Sequence, residues 1–237
     1  MRLSPFLPLA RPDQRLAASV MNAYGDPLVK AYCMARFLII HQRFLNELLQ
    51  FMPREGRVLE IGCGFGLFAL YFGSMHEKLH ISGVDLNPQR IGLAQAAAQK
   101  LGRTNVYFMQ GDARTLHLSA QYDAIYMLDI LHHLPPDEVP RLLREVKAHL
   151  KPGGVLLVKD VDTKPWHKLA FTWALDVLMT GGELPHYLPS AELVSQLKQI
   201  GFQVFTHDMV DLLPYPHRLY FCLNGGLEGL TGAQEQG

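Results

Sequence analysis

A chain of 237 residues is long enough to close one α/β domain around a full core and still carry added segments. Its 22 basic and 22 acidic residues cancel, so there is no net positive field to hold a polyanionic backbone, and no nucleic-acid partner is expected. Three cysteines, Cys33, Cys63 and Cys222, form no C-x-x-C pair and read as reduced thiols, which argues against a disulfide-stapled secreted scaffold and for a cytoplasmic chain.

Residues 3–9 (LSPFLPL) are apolar but broken by Pro5 and Pro8, with no small-residue cleavage site after them, so no secretory signal is expected. Residues 28–52 set Lys30, Arg36, Arg43 and Glu47 among many apolar positions and read as an N-terminal helix with a bend. The clean apolar run at 37–40 is far too short to span a bilayer. From residue 57 strand-like and helix-like segments alternate, the pattern of a parallel sheet covered on both faces. Strands are predicted at 57–61, 80–84, 106–110, 122–128, 155–160, 203–208 and 218–223, and helices at 67–75, 88–101, 137–149 and 190–200. Asn87 as cap, Pro88 at the first position and Gly102 past the end punctuate the second helix. Lys151-Pro152-Gly153-Gly154 reads as a turn before the fifth strand. A further helix is predicted over 166–180 (WHKLAFTWALDVLMT), with Lys168, Thr172, Asp176 and Thr180 as a narrow polar stripe. A helix this apolar is buried on more than one side or meets something besides water. The domain plan is a helical cap segment at 1–55, a core at 56–223 with a helical insert at about 164–187, and a loose glycine-rich tail at 224–237.

The chemistry begins at Val58-Leu59-Glu60-Ile61, an apolar strand that runs into Gly62-x-Gly64-x-Gly66 and then a helix start. Glycines there let the backbone turn tightly and approach a ligand, and the free N–H groups of the next helix suit a carboxylate or phosphate. The dinucleotide fingerprint G-x-G-x-x-G needs its third glycine at position 67, which is Leu67. Cys63 sits within the loop as a small filler. About twenty residues on, Asp85 and Leu86 end the second strand, where a carboxylate can accept both ribose hydroxyls. Asp112 and Ala113 follow the third strand in Gln110-Gly111-Asp112-Ala113. The fourth strand leads through Asp129 into Leu131-His132-His133-Leu134, and the fifth ends in Lys159-Asp160-Val161-Asp162.

The Glu60-x-Gly62-x-Gly64-x-Gly66 loop, the two strand-end acids, the L-H-H-L run and the L-K-P-G-G turn together resemble the class I S-adenosylmethionine-dependent methyltransferases, over about residues 56–160. The resemblance implies a doubly wound, mostly parallel sheet of order 3-2-1-4-5-7-6 with the last strand antiparallel. It implies S-adenosylmethionine as cofactor, with Glu60 and the Gly62, Cys63, Gly64 and Gly66 backbone at the methionine portion and Asp85 at the ribose. Asp112 would then meet the adenine, Leu86 and Ala113 flank it, and Asp129 stand near the methionine end. His132 and His133 are the local bases for an acceptor that must lose a proton, and Asp160 and Asp162 could meet acceptor polar groups. Helix capping explains Asp162 equally well. The L-H-H-L pattern resembles enzymes of small, often lipophilic acceptors, and the transfer could be to oxygen, nitrogen or carbon. Trp166, Phe171, Trp173 and Leu178, with Tyr32 and Phe37, would roof an apolar cavity. Peripheral membrane contact and a homodimer remain open readings of the same apolar helices. Two other functions stay open: a catalytically silent binding or assembly protein on this fold, and a nicotinamide-dependent oxidoreductase, which Leu67 and Asp112 oppose. His76-x-x-x-His80 and His132-His133 lack a third ligand, so no metal is expected.

Overall fold

The apolar run before the glycine loop forms β1 (Gly56–Ile61), in the middle of a seven-stranded sheet. The structure is a computed structural model and describes residues 14–39, 42–163, 185–208 and 217–225. The other strands are β2 (Leu79–Asp85), β3 (Val106–Gln110), β4 (Tyr122–Leu128), β5 (Leu150–Val161), β6 (Gln203–Asp208) and β7 (His217–Leu223). Their order is β3-β2-β1-β4-β5-β7-β6, as the resemblance implies. Only β7 runs against its neighbours, pairing antiparallel with both β5 and β6.

Both faces of this sheet are covered, and the strands show it residue by residue. Along β4, Ala124, Tyr126 and Leu128 enter one core while Ile125 and Met127 enter the other, the two-residue alternation of a pleated strand. The first core is closed by α4 (Leu67–Met75) and α5 (Pro88–Lys100), the second by α6 (Val139–His149) and α7 (Ser190–Gln199). Asn87 caps α5, its side chain accepting from the N–H groups of Gln89 and Arg90 at 2.9 and 3.1 Å. Strand order reverses between β1 and β4, and ligands of open α/β sheets bind outside the carboxyl ends of the strands at such a point.

Two local expectations need correction. The Lys151–Gly154 segment is no separate turn: β5 begins at Leu150 and runs through it, with the register against β4 shifting between Tyr122 and Ala124. Gly153 takes φ 76°, and Asn224 fastens the segment, its side-chain amide donating to the Leu150 and Lys151 carbonyls at 2.6 and 3.1 Å. The N-terminal segment also holds more than one helix: α1 (Gln14–Ala23), α2 (Pro27–Ile39) and α3 (Gln42–Phe51). The first was not recognised, although Val20 and Ala23 bury one of its faces in the first core. Residues 164–184 and 226–237 lie outside the described residues, and with them the predicted insert helix, its roof residues Trp166, Phe171, Trp173 and Leu178, and nearly all of the tail. Among the described residues no helix is long and apolar enough to cross a membrane.

Candidate active site

The glycine loop joins β1 to α4 through three left-handed residues, Gly62, Gly64 and Gly66, at φ 78°, 55° and 75°. Two are hemmed in. A Cβ on Gly62 would stand 2.4 Å from Ile130, and one on Gly66 2.4 Å from the Phe108 ring. Gly64 differs, because a Cβ there meets nothing within 4 Å. The loop therefore fronts open space at Gly64, while its flanks are locked. Below it Glu60 is buried, its carboxylate accepting from the Ala69 N–H at 3.2 Å with the Tyr126 hydroxyl nearby. Burial pushes the Glu60 carboxyl up to about 8, against the opposing pull of Tyr126 and Ala69. Burial also pushes the Cys63 thiol far up, which removes it as a nucleophile at neutral pH. From above, the N-terminal helices hold the loop: the Tyr24 hydroxyl donates to the Phe65 carbonyl at 2.8 Å, and the Tyr32 ring meets Phe65 edge-on at 5.2 Å. Phe37 packs edge-on against Tyr71 of α4.

At the end of β2, Asp85 accepts from the Gly64 N–H at 2.8 Å and from the Asn87 N–H at 3.0 Å. It thus borders the open side of the loop. Its neighbour Leu86 is 57% exposed, an apolar side chain standing in solvent beside a carboxylate. After β3, Ala113 is buried and Asp112 pairs with Arg114, whose guanidinium lies 2.7 Å from it and holds its carboxyl below the usual range. That pair is partly exposed, so its net worth is small, on the order of 0–1 kcal/mol, and it can open for a ligand.

Asp129 has partners that the sequence did not reveal. Among the described residues it is the non-glycine with positive φ, 56°, a conformation that Asp tolerates better than most. The turn aims its carboxylate at Lys159 of β5 (2.7 Å), Arg36 of α2 (3.2 Å) and His217 of β7 (3.7 Å). Burial would raise its carboxyl, but Lys159, then His217 and Arg36, overcome this and hold it well below the usual carboxylate range. Lys159 is 2% exposed. Its signal in the sequence was a lysine directly after the apolar run at 155–158, since a buried charge requires a partner.

The two histidines part company. Both lie in a single 3-10 turn at 131–133, yet His132 is buried and His133 exposed. The Nδ1 atom of His132 is 2.5 Å from Asp160 Oδ1, and its main-chain N–H donates to Asp160 Oδ2 at 3.3 Å. The rings of His133 and Tyr187 lie against it at 4.1 and 5.5 Å, and its carbonyl accepts from the His186 N–H at 2.7 Å. Asp162 has the capping role: Oδ1 accepts from the N–H of Ser190, the first residue of α7, at 3.2 Å. Among the described residues no three His, Cys, Asp or Glu side chains stand together as metal ligands.

Comparison with known proteins agrees with this frame. A family profile described as a methyltransferase domain matches residues 34–207, most of the chain. The chain belongs to the class I S-adenosylmethionine-dependent methyltransferases. S-adenosylmethionine is the cofactor of this family. Similar methyltransferases include the phthiotriol/phenolphthiotriol dimycocerosates methyltransferase of Mycobacterium leprae, 34% identical over 51% of this chain and 42% of the relative. The trans-aconitate 2-methyltransferase of Deinococcus radiodurans is 36% identical over 49% of this chain and 42% of its own length. The chain thus spans less than half the length of these relatives. Two solved methyltransferases share the fold. One, from Methanosarcina mazei, has TM-score 0.61 and 22% identity, covering 76% of this chain and 97% of its own. The other is the magnesium protoporphyrin IX methyltransferase of Synechocystis PCC 6803 with bound S-adenosylhomocysteine, with TM-score 0.63 and 18% identity over 90% of this chain and 95% of its own.

Proposed function

We propose that this chain moves a methyl group from S-adenosylmethionine to a small, lipophilic acceptor. The observation that carries the reading is the open side of the glycine loop at Gly64, bordered by Asp85 and the exposed Leu86. A ligand with a ribose and a flat apolar ring fits that set: a carboxylate for hydroxyls, and a leucine and Ala113 for ring faces. Asp112 would accept from the adenine amino group once Arg114 swings aside, and the Gly62, Cys63, Gly64 and Gly66 backbone would take the methionine portion. Glu60 supports the loop from beneath rather than standing open to solvent, which suits a role in shaping that portion of the site.

When bound, the cofactor supplies an electrophilic methyl on a positively charged sulfur. The protein's part is to place the acceptor in line with it, and orientation of this kind is worth on the order of 7–11 kcal/mol of a barrier. Ile130 stands against Gly62, so the 131–133 turn begins beside the loop, and His132 and His133 would then face the acceptor. Asp129 would fix that turn through Lys159 and Arg36, keeping its charge balanced near the methionine end.

The acceptor's class draws support from composition. The WHKLAFTWALDVLMT segment carries far more apolar residues than a solvated helix needs, and α2 brings further apolar surface over the loop. Relatives named for dimycocerosates, trans-aconitate and a porphyrin support a non-polymeric acceptor. Calorimetric titration with S-adenosylhomocysteine and with NADH tests the cofactor: tight binding of the first and none of the second is expected. Radiolabel transfer from S-adenosylmethionine to lipophilic compounds in an organic extract, against polar ones, tests the acceptor. Labelling confined to polar compounds would overturn the lipophilic reading.

A further inference from the structure

The outer face of α2 departs from the pattern of the other helices. On α7 the exposed residues include Glu192, Ser195, Lys198 and Gln199, an ordinary solvated face. On α2, among the side chains described, every exposed residue is apolar: Pro27, Leu28, Ala31, Met34 and Ala35. Leu28, Ala31, Met34 and Ala35 recur three or four residues apart and so form one stripe along the helix. Leu28 is 81% and Met34 52% exposed, so the fold does not take up either of them. The opposite face is committed to the site: Val29 and Cys33 are buried, Tyr32 meets Phe65 of the glycine loop, and Arg36 reaches Asp129.

Charge says what this stripe meets. The chain as a whole is balanced, yet within residues 1–39 five basic residues, Arg2, Arg11, Arg15, Lys30 and Arg36, stand against Asp13 and Asp26. Asp26 is turned to the start of α2, accepting from the N–H groups of Leu28 and Val29 at 2.7 and 3.3 Å. Lys30 follows Met34 around the helix and so borders the stripe. An apolar helix face with basic residues around it suits the boundary between anionic headgroups and acyl chains, where apolar burial and charge attraction add. Resting on the lipophilic-acceptor reading above, we propose that the outer face of α2 docks on an anionic lipid surface and that the acceptor enters the site from that surface. The same helix stands over the glycine loop, so a lipophilic acceptor held in the bilayer reaches the methyl group without a passage through water.

Co-sedimentation of the full chain with phosphatidylcholine vesicles, with and without phosphatidylglycerol, tests this. Binding to the vesicles that contain phosphatidylglycerol is expected, and salt should weaken it. Each methylene taken from water into lipid favours binding roughly fourfold. Leu28→Glu and Met34→Glu should therefore each weaken binding by roughly tenfold or more, while Ala35→Leu should tighten it. No binding to either vesicle, equal binding to both, or binding that Leu28→Glu leaves intact overturns the proposal. Sedimentation velocity and urea unfolding without lipid check the other occupants of the face. A dimer that Leu28→Glu disperses would mean that a second copy covers it, and a lower urea midpoint in Leu28→Glu that the chain's own residues do; either overturns the proposal. The two readings fail separately, because vesicle binding needs neither cofactor nor acceptor. Labelling confined to polar compounds sinks the lipophilic acceptor and with it the route from the bilayer, while the vesicles alone decide the docking face.

Discussion

The ammonium of Lys159 lies 2.7 Å from the carboxylate of Asp129, with the lysine 2% exposed. This contact ties β5 to the residue that leaves β4 at φ 56°, and Arg36 at 3.2 Å extends it to α2. Removing Lys159 takes away the nearest of three basic groups around Asp129 and leaves Arg36 and His217 beside it. Lys159→Met should therefore cost less than the roughly 3–5 kcal/mol of a buried charge left with no partner. Asp129→Asn keeps a side chain that tolerates the left-handed turn, so it isolates the charge from the backbone. The double variant should lose less than the sum of the two, with a coupling of about 0.5–3 kcal/mol. Urea unfolding of the four proteins measures this, and additive losses would mean the pair is not a unit.

Gly64 and Gly66 share a left-handed backbone but differ in what surrounds them. Alanine at Gly64 meets open space and should cost only the backbone strain, about 1–2 kcal/mol. Alanine at Gly66 adds a Cβ 2.4 Å from Phe108 and 3.0 Å from Ala94, an overpacking cost of about 1–3 kcal/mol on top. Gly64→Ala should nevertheless be the more damaging to S-adenosylhomocysteine affinity per unit of stability lost. Unfolding and calorimetry on both variants give the comparison, and parallel losses would place the cofactor elsewhere.

Much of this was legible in the sequence, for identifiable reasons. Strand apolar runs, the Asn87-Pro88 cap and the alternation from residue 57 are local signals, and they located the strands, whereas the order of the strands followed only from the family resemblance. The strand-end acids Asp85 and Asp112 could be placed because they directly follow predicted strands. Other features depend on contacts between distant segments. Arg36, Asp129, Lys159 and His217 are spread over 181 positions and meet only once β4, β5, β7 and α2 have assembled. Likewise the adjacent histidines look alike in sequence, and the contact of His132 with Asp160, 28 residues on, appears only in the fold. The Lys151–Gly154 turn was misread because its glycines signal a bend, but not that Asn224 would bind it into the strand.

Asp85 and Asp112 are both expected at the cofactor, yet their present partners differ. Asp85→Ala and Asp112→Ala should each weaken S-adenosylhomocysteine binding by about 1–3 kcal/mol, the cost of a hydrogen bond to a charged group. Arg114→Ala should leave the affinity unchanged or raise it, because Arg114 competes with the adenine for the Asp112 carboxylate. A loss in Arg114→Ala as large as in Asp112→Ala would instead make the ion pair itself part of the site.

Glu60 gives the pH dependence a sign. Burial raises its carboxyl from the ordinary 4.5 to about 8, so the folded chain holds this proton more tightly than the unfolded chain does. Its stabilising contribution is whole below about 4.5 and is lost as pH climbs through about 8. Within that window stability should fall by up to about 1.4 kcal/mol per pH unit from this one group. Asp129 acts in the opposite sense, because its lowered value contributes stability above the ordinary 3.8 that is lost only as pH falls below it. The two windows do not overlap, and because histidines also change charge between pH 5 and 8, the contribution of Glu60 is read there as the difference from Glu60→Gln. Glu60→Gln keeps an oxygen to accept from the Ala69 N–H but cannot ionise. Urea midpoints for the wild type should therefore decline from pH 5 to 8, while those of Glu60→Gln stay flatter and the two proteins diverge most at the alkaline end. Parallel curves would mean that Glu60 titrates as an ordinary carboxylate and that the loop above it rests on an ionised side chain throughout.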